Sequence, residues 1–216
     1  MTAPDAAAPR PPLTRARVLE AAIALVDRGG LGALTMRRLG AALGVEAMSI
    51  YAHVANKEAL LEAMVDRVIG AIELPTEGAP WRDAMARRAA SARTVFGRHA
   101  WVIGLLEAGV AQGPNALRYL DAVIGSLRGA GFSLDEAARA FMLLDSYVYG
   151  HAIQERHLGL GVAGRASVPG EQEAASAFPH LAAMVAHAEA VEQSLDDHFA
   201  FGLELLLDAL ERRRSG

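Results

Sequence analysis

Residues 34–61 read LTMRRLGAALGVEAMSIYAHVANKEALL, and the spacing of Thr35, Gly44 and Asn56 in this stretch decides the fold. Thr35 is placed to cap a helix in which apolar Met36, Leu39 and Leu43 recur at helical spacing. Gly44 falls where that helix needs a left-handed stop, and Val45 follows to anchor the turn in a core. Residues 49–53 then predict a second, short helix with one position suited to burial, Ile50, among groups that hydrogen-bond. Asn56 caps a third helix, with Lys57, Glu58 and Ala59 in its first turn. This order is a helix-turn-helix, and its second helix is built to enter the DNA major groove.

Working outward, the 216 residues suit one small domain and one larger one. A hydrophobic content of 52% is ample for a packed core and argues against disorder. Alanine and leucine dominate and β-branched runs are scarce, which favours an all-α fold. With no cysteine, disulfides and thiolate metal sites are excluded, and the chain fits a reducing cytoplasm. No apolar run has the length of a membrane span. The first twelve residues, MTAPDAAAPRPP, lack the apolar segment of a secretory signal and read as a flexible arm. Net charge is −4, unusual for a DNA-binding protein, but its distribution is uneven. Before residue 54, Arg10, Arg15, Arg17, Arg28, Arg37 and Arg38 outnumber Asp5, Glu20, Asp27 and Glu46. A local basic face on a mildly acidic chain suits specific, salt-sensitive DNA binding.

The periodicity predicts a first helix over 13–28, the helix pair above, and a fourth helix over 56–73. The Pro/Gly turn at 75–80 marks the boundary between a DNA-binding domain, 13–74, and a second domain, 80–213. Further helices are expected over 81–98, 100–111 and 115–128. Ser133 and Glu136 form a capping box that opens a long helix to residue 157. The Gly-rich stretch 158–173 reads as a mobile loop, followed by helices over 179–193 and 194–213. About nine to ten helices are expected in all.

From Leu13 to Ile72 the chain resembles the DNA-binding domain of the tetracycline-repressor (TetR) family. The match runs through TRARVLEAA at 14–22, Gly29-Gly30, LTMRRL at 34–39, Leu43-Gly44-Val45, SIYAHV at 49–54 and NKEALL at 56–61. The tail FAFGLELLLDALE, 199–211, is similar to the last helix of the branch that contains the tetracycline repressors. The resemblance implies a homodimeric transcriptional regulator, a repressor released from a palindromic double-stranded operator by a small molecule. It implies that Arg37 reads bases and that Ala47 and Met48 face them, where the tetracycline repressors carry an amide and a proline. Apolar Ala47 and Met48 touch only groups such as a thymine methyl, so a different operator is expected. Ser49 and Tyr51 hydroxyls suit phosphates, and His53 and Lys57 suit the flanking phosphates. Thr35 completes this DNA-binding set. For His53, packing against a neighbouring helix is an equal alternative.

The middle of the chain offers candidates for an effector pocket: Trp81, Met85, Phe96, His99, Trp101, Gln112, Asn115, Met142, Tyr147, Tyr149, His151 and Gln154. At helical spacing such residues are more often plain core. The tetracycline repressors hold a drug–magnesium chelate through histidines. Here residues 67–72 carry none, and Leu105 and Leu106 stand near the position of the metal-binding one. The resemblance thus implies another ligand, bound without a metal or other cofactor. His151 and Glu155 share a helix face as metal ligands do, with His157 off it; a polar pocket rim or a solvated helix end is the favoured reading. Phe199, Leu203, Leu206 and Leu210 form a stripe that, with the helix over 133–157, would make a four-helix dimer interface. Two rival readings remain: a regulator controlled by a protein partner or acting as an activator, and a helical enzyme or metal-binding protein. No nucleophile–base pair at a motif spacing supports an enzyme.

Overall fold

The computed structural model describes residues 12–76, 78–110, 113–157, 177–191 and 195–214. Most of the N-terminal arm, residue 112 and the 158–173 stretch lie outside them. Among the described residues the fold is all-helical, with ten α-helices and no strand. They are α1 (Arg15–Gly29), α2 (Met36–Leu43), α3 (Ala47–Ile50), α4 (Lys57–Ile69) and α5 (Trp81–Arg98). They continue with α6 (Trp101–Glu107), α7 (Pro114–Gly129), α8 (Leu134–His157), α9 (Pro179–Val191) and α10 (Leu195–Arg214). None of these is long and apolar enough to cross a membrane.

Local chemistry sets the boundaries of the first four helices. Thr14 Oγ1 accepts from Arg17 N–H at 3.3 Å, Thr35 Oγ1 from Arg38 N–H at 3.2 Å and Asn56 Oδ1 from Ala59 N–H at 2.7 Å. Each satisfies a donor that the helix itself leaves open. Gly44, at φ 70°, turns the chain out of α2. Its N–H donates to Ala41 O at 3.2 Å while Val45 N–H donates to Gly40 O at 2.9 Å, a Schellman stop. Gly40 is equally constrained: a Cβ there would lie 2.7 Å from Val45 O and 3.2 Å from Ala47 N. The absent side chain lets α3 cross close over α2.

The second helix of the pair differs from its predicted span. It begins at Ala47 and ends at Ile50, and residues 51–53 form turns. Tyr51 N–H reaches Met48 O at 3.3 Å and His53 N–H reaches Ile50 O at 2.8 Å, so the chain tightens into i→i+3 bonds after one helical turn.

Two cores result. Val18, Ala22, Val26, Leu34, Leu39, Ile50, Val54, Leu60 and Met64 fill the smaller one, between α1, α2, α3 and α4. The larger is built on α5 and α8, joined by α7 and α10. Alanines at 84, 89 and 92 of α5 and at 137, 140 and 152 of α8 are buried there and allow close helix approach. Helix α4 serves both. Leu60 and Met64 point into the small core, while Val65, Val68 and Ile69, with Ile72 just past the helix end, belong to the large one. The turn at 75–80 therefore ends a stretch of chain without ending a packing unit.

Candidate DNA-binding interface and effector cavity

Ile50 is the one fully buried residue of α3. Burial of such a side chain stabilises by about 1.5–3 kcal/mol and pins the helix on the small core. The rest of its surface is offered outward. Met48 is 75% exposed and Tyr51 43%, and Ser49 is exposed. Ala47 is half-buried because its backbone abuts Gly40, and His53 is also half-buried. Arg37 and Lys57 flank α3 from α2 and α4, both exposed and making no hydrogen bond or ion pair among the described residues. The Thr35 hydroxyl is occupied as the cap of α2.

The two cores are tied by two carboxylates of the small domain. Asp27 Oδ1, near the end of α1, accepts from Trp101 Nε1 at 2.7 Å and lies 2.9 Å from His99 Nδ1. Asp66, on α4, caps α7 from outside. Its Oδ1 accepts from Asn115 N–H at 2.8 Å and Ala116 N–H at 3.1 Å, and its Oδ2 from Asn115 Nδ2 at 2.9 Å. Gly113 offers α7 no side-chain cap of its own. Two glycines make the contact possible. A Cβ on Gly113 would sit 2.6 Å from Asp66 Cγ, and one on Gly70 would sit 2.9 Å from Asn115 Cγ.

Beside this clamp lies a cavity of about 220 Å³ between α4, α7 and α8. Ile69, Ile72, Ala116, Leu120, Phe141 and Met142 supply apolar wall; Tyr119, Asp145, Ser146 and Tyr149 supply polar groups. Behind the wall, Arg88 of α5 is 0% exposed. Its Nη1 donates to both Tyr119 Oη and Asp145 Oδ1, and Tyr119 Oη donates to the same Oδ1 at 3.2 Å. Arg88 Nε and Nη2 find no partner among the described residues. Burial opposes the charge of Arg88, but Tyr119 and Asp145 outweigh it and hold its pKa above the ordinary value. Burial raises Tyr119 beyond the usual phenol range and Tyr149 to about 12, so both stay protonated near neutrality. A second and larger space of about 380 Å³, as open to solvent as the first, runs along Ala71, Ser91, Thr94, Val95, Arg98 and His99.

The pocket candidates read from the sequence scatter. Met142 and Tyr149 line the cavity and His99 the larger space. Trp81, Met85 and Phe96 are core: Trp81 stacks edge-on against Phe132 and donates to Glu211 Oε2 at 2.9 Å, and Phe96 packs on Tyr149. Trp101 and Asn115 serve the two interdomain ties. Tyr147 donates to Phe199 O at 2.8 Å, an approach that Gly202 permits by having no Cβ. His151 packs on Phe199, and Gln154 is exposed. Glu155 Oε1 lies 3.3 Å from His151 Nδ1 without bonding it; that oxygen accepts from Arg93 Nε and Nη2 at 2.9 and 2.5 Å. The sequence reading passed over Tyr119, Asp145 and Arg88. The available signal was a lone carboxylate inside the apolar run FMLLDSYVYG, 141–150.

The dimer stripe also needs correction. Phe199, Leu203 and Leu210 are buried in their own chain's core and Leu206 is half-buried. The apolar surface that α10 leaves outward is Phe201, 69% exposed, and Leu205, 53% exposed; Leu143 is exposed on neighbouring α8.

Residues 18–64 match the family described as bacterial regulatory proteins, tetR family, and residues 74–214 match the tetracyclin repressor-like C-terminal domain. The chain is 35% identical to the HTH-type transcriptional repressor DrrR1 of Streptomyces coeruleorubidus, over 94% of this chain and 79% of that protein. It is 31% identical to the tetracycline repressor protein class A from transposon 1721 of Escherichia coli, over 91% and 90%. Among solved structures, a possible TetR family transcriptional regulator from Streptomyces coelicolor A3(2) aligns with TM-score 0.73 at 35% identity, covering 92% of this chain and 98% of that one. The Streptomyces coelicolor TetR family protein ActR in complex with actinorhodin aligns with TM-score 0.73 at 28% identity, over 95% and 100%. With both halves matched and the helix-turn-helix geometry in place, the chain belongs to the TetR family of bacterial transcriptional regulators.

Proposed function

We propose that two copies of this chain bind a palindromic operator through α3, repress transcription in the cytoplasm, and are released by a small molecule in the cavity between α4, α7 and α8. The observation that carries this reading is the sharing of α4. Its start follows the turn that leaves α3, and its end and the turn after it supply Ile69 and Ile72 to the cavity wall. Arg37 bonds a guanine, Met48 and Ala47 meet apolar base edges, and Ser49, Tyr51, His53 and Lys57 hold phosphates. The outward face of α10, with Phe201 and Leu205, meets its counterpart about a two-fold axis. A ligand that fits the cavity in one arrangement of α4 and α7 better than in the other shifts the reading heads by that difference. ActR, a structural relative, is known in complex with actinorhodin, and a TetR from Acinetobacter baumannii AYE, as its Q116A variant, in complex with minocycline, which supports a ligand-responsive reading.

The test is anisotropy titration against DNA carrying the inverted repeat nearest the gene. Two chains per operator are expected, with half-sites about 34–36 Å apart. One chain per site, or equal affinity for scrambled DNA, rejects the reading.

A further inference from the structure

We infer that the cavity between α4, α7 and α8 selects an uncharged ligand that donates a hydroxyl proton to Asp145 from the end of a flat apolar body. The inference rests on the proposed effector reading of this cavity and adds the chemistry of what enters it.

Asp145 is oriented in an unusual way. A buried guanidinium ordinarily grips a carboxylate with two parallel bonds, one to each oxygen. Here a single nitrogen of Arg88 is used, and its bonds converge on Tyr119 Oη and Asp145 Oδ1. Tyr119 adds a further bond to the same Oδ1. Asp145 Oδ2 has no partner among the described residues, and Asp145 lines the cavity while Arg88 does not. Two nitrogens of Arg88 remain unpartnered at zero exposure. A pair whose role was only to hold helices together would leave fewer bonds unmade, because each buried unpaired donor is costly. The arrangement instead fixes one carboxylate oxygen as an acceptor at the cavity wall.

Charge then selects the ligand. The groups around Asp145 are Arg88 from α5, Tyr119 from α7 and Tyr149 from its own helix, and both phenols are neutral. Arg88 and Asp145 cancel, so no net charge awaits a counter-ion. A carboxylate would face the Asp145 oxygen directly, with the guanidinium behind it. An ammonium would meet a carboxylate whose charge Arg88 already balances, and would itself lose hydration. A hydroxyl fits, since it completes the open acceptor without bringing a charge into an apolar site. Phe141, Ile69, Ile72 and Leu120 supply apolar wall that suits a flat apolar body, with Ser146 a further polar group of the lining. At about 220 Å³ the cavity is smaller than the usual drug-sized site of roughly 300–1,000 Å³, so a small ring system fits and larger ligands emerge past exposed Met142.

The experiment is calorimetry of the whole protein with four probes on one ring system: naphthol, methoxynaphthalene, naphthoate and naphthylmethylammonium. Naphthol is expected to bind at least about tenfold tighter than each of the others. The double variant Arg88→Met with Asp145→Leu removes both charges together, which a buried pair tolerates, and its folding is checked by thermal melting. It should bind naphthol and methoxynaphthalene alike. Equal binding of those two by the unmodified protein, tighter binding of either ion, or no binding of any probe at its solubility limit overturns the inference. So does a folded double variant that keeps the naphthol preference. Operator release is read separately. A naphthol preference without release leaves the ligand class standing and removes the effector reading.

Discussion

Replacing Asp66 with alanine should loosen the joint between the two domains by an amount that the geometry fixes. The carboxylate holds two backbone N–H groups at the start of α7 and the side-chain amide of Asn115. Loss of an N-cap acceptor costs about 0.5–2 kcal/mol. Loss of a negative charge at a helix N-terminus costs about 0.3–1 kcal/mol more. The amide bond adds about 0.5–1.5 kcal/mol, reduced because water reaches this half-buried site. The sum is about 2 kcal/mol, equivalent to a Tm lower by roughly 4–8 °C for a chain of this length at fixed protein concentration. Asp66→Asn keeps one acceptor and should lose about half as much. A double-mutant cycle isolates the contact. Gly113→Ala alone drives a Cβ into Asp66 and should cost about 1–3 kcal/mol. In the Asp66→Ala background the contacts with Cγ and Oδ1 are gone and only the 2.9 Å approach to Cβ remains, so the two costs should fall short of adding. Strict additivity, or an Asp66→Ala protein that melts with the unmodified one, would refute the reasoning.

The remaining expectations concern other parts of the molecule. Arg37→Ala should cost about 1–3 kcal/mol of operator binding and relax preference at one base position per half-site, whereas Lys57→Ala should weaken all sequences alike and lower the salt slope by about one per subunit; anisotropy across operator variants and salt separates them. Phe201→Glu with Leu205→Glu should give folded monomers by sedimentation, and a stable dimer would place the interface elsewhere. Leu203→Glu should instead unfold the chain, since Leu203 is core. The pKa of His151 is lowered by burial and by Arg93 and His198, against the pull of Glu155, amid Tyr147 and Phe199. The unfolded chain therefore takes this proton first, and stability that is complete above about pH 6.5 should fall as pH drops below it. Urea midpoints measured down to pH ~5 should decline less steeply in His151→Gln, and an unchanged slope would remove His151 as the cause.

The helix-turn-helix was legible in the sequence because its determinants are local. Thr35, Gly44 and Asn56 each act on backbone groups within four residues, so residue type and spacing carry the signal. The short span of α3 was less legible, since the i→i+3 tightening after Ile50 leaves no mark in composition. The cavity was hardly legible. Arg88 meets Tyr119 and Asp145 across 31 and 57 residues, and only the crossing of α5, α7 and α8 brings them together. For α10 the periodicity was ambiguous in a different way. Phe199, Phe201, Leu203, Leu205, Leu206, Leu207 and Leu210 surround most of the helix, and the face that meets the chain's own core is decided by Tyr147 and Gly202, not by the pattern.

The double service of α4 limits how this regulator can be recombined. A chimera joined at the Pro/Gly turn would carry Val65, Val68, Ile69 and Ile72 away from the helices that they were shaped against, leaving voids in the host. It would also strand Asp27 without His99 and Trp101, and Asp66 without Asn115. A workable splice exchanges residues ahead of Asn56 and retains α4 with the sensor half, with Asp27 grafted into the incoming α1 and Leu60 and Met64 rematched to its core. By the same logic, operator preference can drift in α2 and α3 without disturbing ligand response, while changes at the buried positions in the second half of α4 reach both.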